Sequence, residues 1–128
     1  SRWRPCRADR RRPARAHARL RGCARDSRAF DQTLRASDAG RFAIVSSTAV
    51  GRPLAGGANY AAVKAASEAW TRAVAQGFAK AARETETPLR AASLIWRVKA
   101  LDPEVLAAAA VALWDADASE LNDRVITL

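Results

Sequence analysis

RFAIVSSTAVGRPLAGGANYAAVKAA, residues 41–66, is the stretch that decides the fold class of this 128-residue chain. Its run at residues 42–45 puts apolar side chains on both faces of a strand, which is typical of a strand buried in a parallel sheet. Glycine and proline then mark residues 48–59 as an irregular loop. Beyond the loop, apolar residues recur at helical spacing, which predicts a helix over residues 60–83 with Asn59 as its N-cap. Strand, loop and helix in this order form the repeating unit of an α/β fold.

The same alternation continues on both sides of this stretch. Upstream, a short apolar stripe predicts a helix over residues 27–37. Downstream, an apolar run predicts a second strand over residues 93–98, and Asp102 with the proline after it predicts the start of a helix that continues to about residue 114. A turn then leads into a last strand over residues 124–128. The sequence therefore predicts an α/β fold in which three parallel strands lie side by side with helices on their faces.

The charge divides the chain into two parts. Residues 1–28 hold eleven Arg against Asp9 and Asp26, and they carry the whole formal net charge of +9. They contain no Val or Ile and a single Leu, so they lack an apolar face that would offset the entropy of ordering. We therefore expect residues 1–26 to be a basic, irregular segment and residues 27–128 to be the ordered domain.

Three interpretations of the basic segment stay open. Its arginines would attract a phosphate backbone, which makes RNA or DNA binding one hypothesis, although no helix-turn-helix or zinc-finger pattern follows. A transit peptide is the second, but the leucines that give such peptides an apolar face are missing. The third is that residues 1–26 are read out of frame from a GC-rich gene, and we favour it over nucleic-acid binding.

The sequence gives no sign of a metal-binding, disulfide-bonded or membrane-spanning protein. Cys6, His17 and Cys23 match no common zinc-finger spacing and have no fourth ligand nearby, so we expect neither a metal site nor a disulfide. No apolar run reaches the ~18 residues that a membrane span needs. The sequence shows no signal peptide, so we expect a cytoplasmic protein.

Three polar residues of the opening stretch carry the candidate chemistry. Tyr60 and Lys64 are four residues apart on the predicted helix, so they share one face. Ser47 ends the predicted strand, at the edge where parallel sheets bind ligands. An ammonium beside a phenol favours the phenolate, so Lys64 would prepare Tyr60 to exchange a proton with a carbonyl or alcohol oxygen. Ser47 would hydrogen-bond to the same oxygen and stabilise its developing charge.

The strand ending in IVSS, the thirteen-residue spacing from Ser47 to Tyr60 and the run GGANYAAVKAA together resemble the active-site segment of the short-chain dehydrogenase/reductase family. The resemblance covers residues 27–128. It implies a partial Rossmann-type parallel sheet of about three strands, with NAD or NADP as the cofactor. It also implies that Tyr60 is the catalytic acid/base, that Lys64 hydrogen-bonds to the nicotinamide ribose as well, and that Ser47 orients the substrate carbonyl. Tyr60 and Lys64 are thus both catalytic and cofactor-binding residues.

The implied function is that of an NAD(P)-dependent oxidoreductase, which moves hydride between a carbonyl and an alcohol carbon of a small molecule. The resemblance also implies a homo-oligomer formed through the helix at residues 60–83, which would bury Trp70. The family's glycine-rich phosphate-binding turn has no counterpart here, so we expect a truncated and inactive fragment. The alternative is a noncatalytic α/β module with an Arg-rich, nucleic-acid-binding tail.

Overall fold

The computed structural model describes the backbone of residues 11–128 and the side chains of residues 18–128. In chain order the elements are α1 (Arg11–Ala36), β1 (Arg41–Ser47), α2 (Ala58–Glu84), β2 (Ala92–Val98), α3 (Pro103–Ala112), α4 (Ala118–Leu121) and β3 (Val125–Thr127). Two short 3-10 turns, Thr48–Val50 and Ala55–Gly57, lie between β1 and α2.

The three strands form one parallel sheet in the order β1-β2-β3. Ser47 lies opposite Val98 at the carboxyl ends of β1 and β2, and Ile95 lies opposite Val125 in the second pair. This confirms the predicted α/β class and the parallel three-stranded sheet. The loops that follow β1 and β2 therefore leave the sheet at the same edge, which we call the carboxyl edge.

One face of the sheet is covered by α2. Ser93 of β2 is fully buried, and its Oγ donates a 2.7 Å hydrogen bond to the carbonyl oxygen of Thr71. Ile95, two residues further, is also fully buried. Because side chains of a strand alternate between faces, Ser93, Ile95 and Arg97 all point towards α2.

The opposite face holds the main apolar cluster. Leu94, Trp96 and Leu113 are its buried members, and Leu106 of α3 packs against them. α3 begins as predicted, since Asp102 accepts hydrogen bonds from the backbone amides of the first turn. The sheet is thus sandwiched between α2 on one side and α3 on the other.

The structure differs from the expectation of an irregular basic segment. Residues 11–26 belong to α1, which is one continuous helix, while residues 1–10 lie outside the described part of the chain. Alanine and arginine have high helix propensity, so the segment continues a helix that is anchored further along. The anchor is Ser27, which is buried and whose Oγ accepts a 2.8 Å hydrogen bond from Trp70 Nε1 of α2.

Smaller differences concern the ends of the helices. α2 begins at Ala58 with Gly57 as its N-cap, so Asn59 lies inside the helix and the predicted cap is wrong. α3 ends at Ala112 rather than near residue 114, and the short helix α4 was not predicted. The turn after α1 ends at Gly40. Only glycine fits this position, because a Cβ there would collide with the backbone carbonyl of Leu34.

The helices α1 and α2 run side by side in the same direction. Ser27 meets Trp70, and eight residues further along both helices the Arg35 guanidinium lies 5.9 Å from the centre of the Phe78 ring. α2 links the carboxyl end of β1 to the amino end of β2, so both helices run opposite to the strands. The amino-terminal half of α1 therefore lies towards the carboxyl edge.

Candidate active site

Ser47 is the last residue of β1 and is buried at the carboxyl edge. Its Oγ accepts a 3.1 Å hydrogen bond from the backbone amide of Ala49 and so caps the 3-10 turn Thr48–Val50. A serine hydroxyl has one hydrogen to donate and two lone pairs to accept with. The cap uses one lone pair, so the hydroxyl hydrogen of Ser47 is left for a ligand oxygen.

Tyr60 and Lys64 lie in the first turns of α2 and face the same edge. Lys64 Nζ is 5.9 Å from the centre of the Tyr60 ring, and it donates a 2.9 Å hydrogen bond to the carbonyl oxygen of Val45. Val45 is two residues before Ser47 on β1, so the amine lies between the phenol ring and the end of that strand. The structure therefore brings all three predicted site residues to one edge of the sheet.

The exposure of these side chains suits a reaction on a ligand that arrives from solvent. Tyr60 is 47% exposed, whereas Ser47 is buried and Lys64 is half-buried. A lysine ammonium has three N–H donors, of which Val45 engages one, so two stay available. The carboxyl edge thus carries a phenol, a hydroxyl donor and an ammonium.

A buried ion pair fixes the position of α2 above this edge, and the sequence analysis missed it. Arg97 of β2 donates two hydrogen bonds to the Glu68 carboxylate, at 2.9 and 2.8 Å. Glu68 is four residues after Lys64, so the pair holds the turn of α2 that carries Lys64. An arginine inside an otherwise apolar strand was the available signal, but its partner could not be identified without the strand register.

The same pair perturbs the ionisation of Glu68. Burial disfavours the carboxylate, but the hydrogen bonds and the positive charge of Arg97 outweigh this, so the pKa of Glu68 lies below its ordinary value. The pair therefore stays charged at neutral pH.

Metal binding finds no support in the part of the chain that the structure describes. Within it, no three His, Cys, Asp or Glu side chains come together as metal ligands. Cys23 lies between α1 and α2 against Thr71, and burial raises the pKa of its thiol. Cys6 and the side chain of His17, the other two residues of the zinc hypothesis, lie outside the described part.

The residues present fit one end of a nicotinamide dinucleotide. Lys64 has two N–H donors left for ribose hydroxyls, and Tyr60 lies beside them. In the described chain the pair Gly56 and Gly57 forms a 3-10 turn in front of α2, and a Cβ at either position would meet open space. Nothing within the described chain itself requires glycine at these two positions, and the residues identified here account for the ribose end only.

Comparisons with known proteins add no relative. No protein-family model matches the chain, and neither the curated proteins nor the solved structures contain a match. Among the described helices, none combines the length and apolar character needed to cross a bilayer. The case for a function therefore depends on the geometry at the carboxyl edge.

Proposed function

We propose that this chain carries the active-site half of a short-chain dehydrogenase/reductase-like, NAD(P)-dependent oxidoreductase. One observation carries the proposal: Lys64 Nζ lies 5.9 Å from the Tyr60 ring and 2.9 Å from the Val45 carbonyl, at the end of the strand that Ser47 closes. A tyrosine and a lysine four residues apart on a helix are common. Their placement together over the end of a parallel strand, beside a buried serine, is what the chemistry requires.

The mechanism follows from the donors at this edge. In the reducing direction, the Tyr60 hydroxyl gives its proton to the substrate carbonyl oxygen, while the Ser47 hydroxyl donates a hydrogen bond to that oxygen. The Lys64 ammonium stabilises the phenolate that Tyr60 becomes. NADH or NADPH, when bound, supplies the hydride that the carbonyl carbon receives. Because Tyr60 is half-exposed, solvent can return its proton.

Because the chain by itself is expected to be an inactive fragment, the test is turnover of the full-length parent with a small carbonyl compound and NADH or NADPH, followed by absorbance of the reduced nicotinamide. We expect Tyr60→Phe and Lys64→Met each to lower the rate at least about a hundredfold. Lys80→Met is the matched control, because Lys80 is on the same helix but exposed and paired only with Glu84, at 3.9 Å. A parent that keeps its turnover after Tyr60→Phe would refute the proposal.

A second candidate function is favoured by the helical form of the basic segment. Arg19, Arg21 and Arg25 are exposed on α1, and none of them forms an ion pair with the residues whose side chains the structure describes. A noncatalytic module that binds nucleic acid through this helix would show salt-dependent retention on a polyanion. Replacing the three arginines by glutamine would weaken that retention and reduce its dependence on salt.

The proposal includes a small-molecule substrate, a cytoplasmic location and a homo-oligomer formed through α2. The face of α2 that is free for this contact differs from the expected one, which included Trp70. Trp70 is engaged by α1, through Ser27 and through Arg28, whose guanidinium lies 5.1 Å from the ring centre. The contact would therefore use the exposed outer face of α2, which includes Ala65 and Ala69. Sedimentation of Ala69→Arg against the unaltered chain tests it, with loss of the oligomer expected.

A further inference from the structure

The amino-terminal half of α1 lies beside the candidate active site. The pairs Ser27–Trp70 and Arg35–Phe78 are each 43 residues apart in sequence, so the two parallel helices keep one register. Extended back along both helices, this register places residues 17–21 of α1 level with residues 60–64 of α2. Arg19 and Arg21 thus lie on the stretch of α1 that comes level with Tyr60 and Lys64.

Arg19 is exposed at the border of the inward face of α1, beside the half-buried Leu20. One turn further along, the Cys23 thiol lies against Thr71, and Thr71 is fully buried between α2 and β2. Residues four apart share a helix face, so Arg19 lies on the same side as Cys23. Arg25 is on the opposite side, because it is two residues before the buried Ser27.

The loops at the carboxyl edge are basic as well. Arg52, in the loop after β1, and Lys99, after β2, are both exposed and form no ion pair with a described side chain. The carboxylate of the β2–α3 loop, Asp102, is engaged by backbone amides of α3. Glu68, the nearest acid on α2, is neutralised by Arg97.

The loops at the opposite edge of the sheet have the reverse charge. The connections that enter β1, β2 and β3 carry Asp38, Glu86, Asp115, Asp117, Glu120 and Asp123 against Arg90 and Arg124. Residues 29–128 have no net charge, so this is a separation of charge along the strands and not an overall excess. At the carboxyl edge Arg52 and Lys99 are balanced by Asp102 and Glu104, so the candidate site lies at the less negative end, where a field of this kind concentrates anions.

We propose that the ligand of this site carries an anionic group, a phosphate or a carboxylate, and that Arg19 binds that group. The inference rests on the proposed function for the location of the site, but not for its chemistry. A guanidinium without a carboxylate partner presents a planar fork of donors that matches both phosphate and carboxylate. Arg52 and Lys99 add attraction from the loops across the edge.

The experiment is isothermal titration calorimetry of the full chain at low ionic strength with separate probes. Inorganic pyrophosphate presents phosphate alone, NADPH presents the phosphates of a cofactor, and acetoacetate against acetone presents a carboxylate beside the same carbonyl. We expect saturable binding of at least one anionic probe, with Kd raised about tenfold in Arg19→Gln. Binding of NADPH and pyrophosphate identifies the cofactor as the source of the anion, and binding of acetoacetate but not acetone identifies the substrate.

Arg25→Gln is the matched control, since it removes the same charge from the same helix on the far side. Its Kd for the anionic probe should stay within about twofold of the unaltered chain. Equal losses in Arg19→Gln and Arg25→Gln, or no saturable binding of any anionic probe, would overturn the inference. Tighter binding of a single-stranded oligonucleotide that depends equally on both arginines would also overturn it. Circular dichroism confirms that both variants fold.

Failure of this inference is distinguishable from failure of the proposed function. Pyrophosphate binding is measured without turnover, so it tests Arg19 whether or not Tyr60 transfers a proton. Turnover that survives Tyr60→Phe removes the oxidoreductase proposal and leaves the anion site standing. Suppose instead that Tyr60→Phe loses turnover while Arg19→Gln and Arg25→Gln bind the anionic probe equally. The oxidoreductase proposal then stands and the inference about Arg19 fails.

Discussion

The partly buried pair of Glu68 and Arg97 is the ion pair with the largest expected effect on stability among the described residues. Glu68→Gln leaves the Arg97 guanidinium, which is 27% exposed, without its counter-charge, and we expect a loss of about 2 kcal/mol in the free energy of unfolding. Urea denaturation measures it. Glu84→Gln is the control, because the Glu84–Lys80 pair is exposed and long, at 3.9 Å. We expect it to cost no more than about 0.5 kcal/mol.

The same pair makes stability depend on pH. The pKa of Glu68 is lower in the folded chain than its ordinary value of 4.5, so its contribution is fully present above that value. It is lost as the pH falls through the lower, folded-state pKa. We expect the free energy of unfolding to decline below about pH 4.5 in the unaltered chain, and to decline less in Glu68→Gln. Identical pH profiles would show that Glu68 is not the group responsible.

The positions of the three candidate residues in the fold were predictable from the sequence, because the signal for each was local. Tyr60 and Lys64 follow from a four-residue spacing on a helix, and Ser47 from its position at the end of an apolar strand. Glu68 and Arg97 were not predictable, because their contact joins α2 to β2 across 29 residues of chain. The sequence around either residue does not indicate which residue is its partner.

At the scale of elements, α1 depends on its contact with α2. Trp70→Phe removes the indole N–H that donates to Ser27 and reduces the ring surface under Arg28. We expect a loss of about 1 kcal/mol in stability, since one partly buried hydrogen bond is lost. Amide hydrogen exchange should become faster along α1 and stay unchanged in β2. Uniformly faster exchange in both elements would mean that α1 is not a separate unit.

Packing on the other face of the sheet provides a second test at this scale. Leu94 is fully buried in the cluster with Trp96 and Leu113, so Leu94→Ala should cost about 2–5 kcal/mol. Leu101 is 73% exposed, and Leu101→Ala should change stability by less than about 0.5 kcal/mol. Thermal unfolding of the two variants measures the difference. Equal melting temperatures would contradict the sandwich arrangement of α3 over β2.

The elements that could be predicted well were those whose pattern is complete within their own residues. β1, Arg41–Ser47, contains the predicted apolar run at residues 42–45 and ends at Ser47 as predicted, because an apolar run between a glycine and a loop admits few alternatives. The sequence predicted a helix only over residues 27–37, whereas α1 begins at Arg11. The lack of an apolar face in residues 1–26 was given more weight than the high helix propensity of Ala and Arg. α4 has only four residues, which is too short for a periodic signal.

At the scale of the whole molecule, the outer edge of β1 has no strand beside it in the described chain. The Gly40 carbonyl accepts from Ala92, so alternate residues of β1 turn their backbone groups towards β2. The backbone N–H and C=O groups of Ala43 and Val45 point away from β2, towards the open edge. Arg41, the charged residue of this strand, is held by the carbonyls of Leu113 and Ala116 and does not guard the edge. Unprotected edges of this kind pair with other chains.

We therefore expect the chain to self-associate or aggregate as its concentration rises. Ala43→Pro should reduce this association, because a proline there removes an outward N–H and leaves the ladder with β2 intact. Val111→Lys is the control, since Val111 is 66% exposed on α3, away from the open edge. Sedimentation velocity over a range of concentrations measures both. A monodisperse monomer with a cooperative thermal transition would contradict the expectation.

The bond between Lys64 and the Val45 carbonyl joins this open edge to the candidate site. That oxygen belongs to the row of acceptors that an added strand would use, and it is also the atom that holds the lysine amine in place. A chain that docks along β1 competes with the amine for this acceptor and frees it towards Tyr60. Docking along β1 and the position of the amine are then linked equilibria: whatever favours the docked strand disfavours the bond between Lys64 and Val45 by the same free energy, and the reverse.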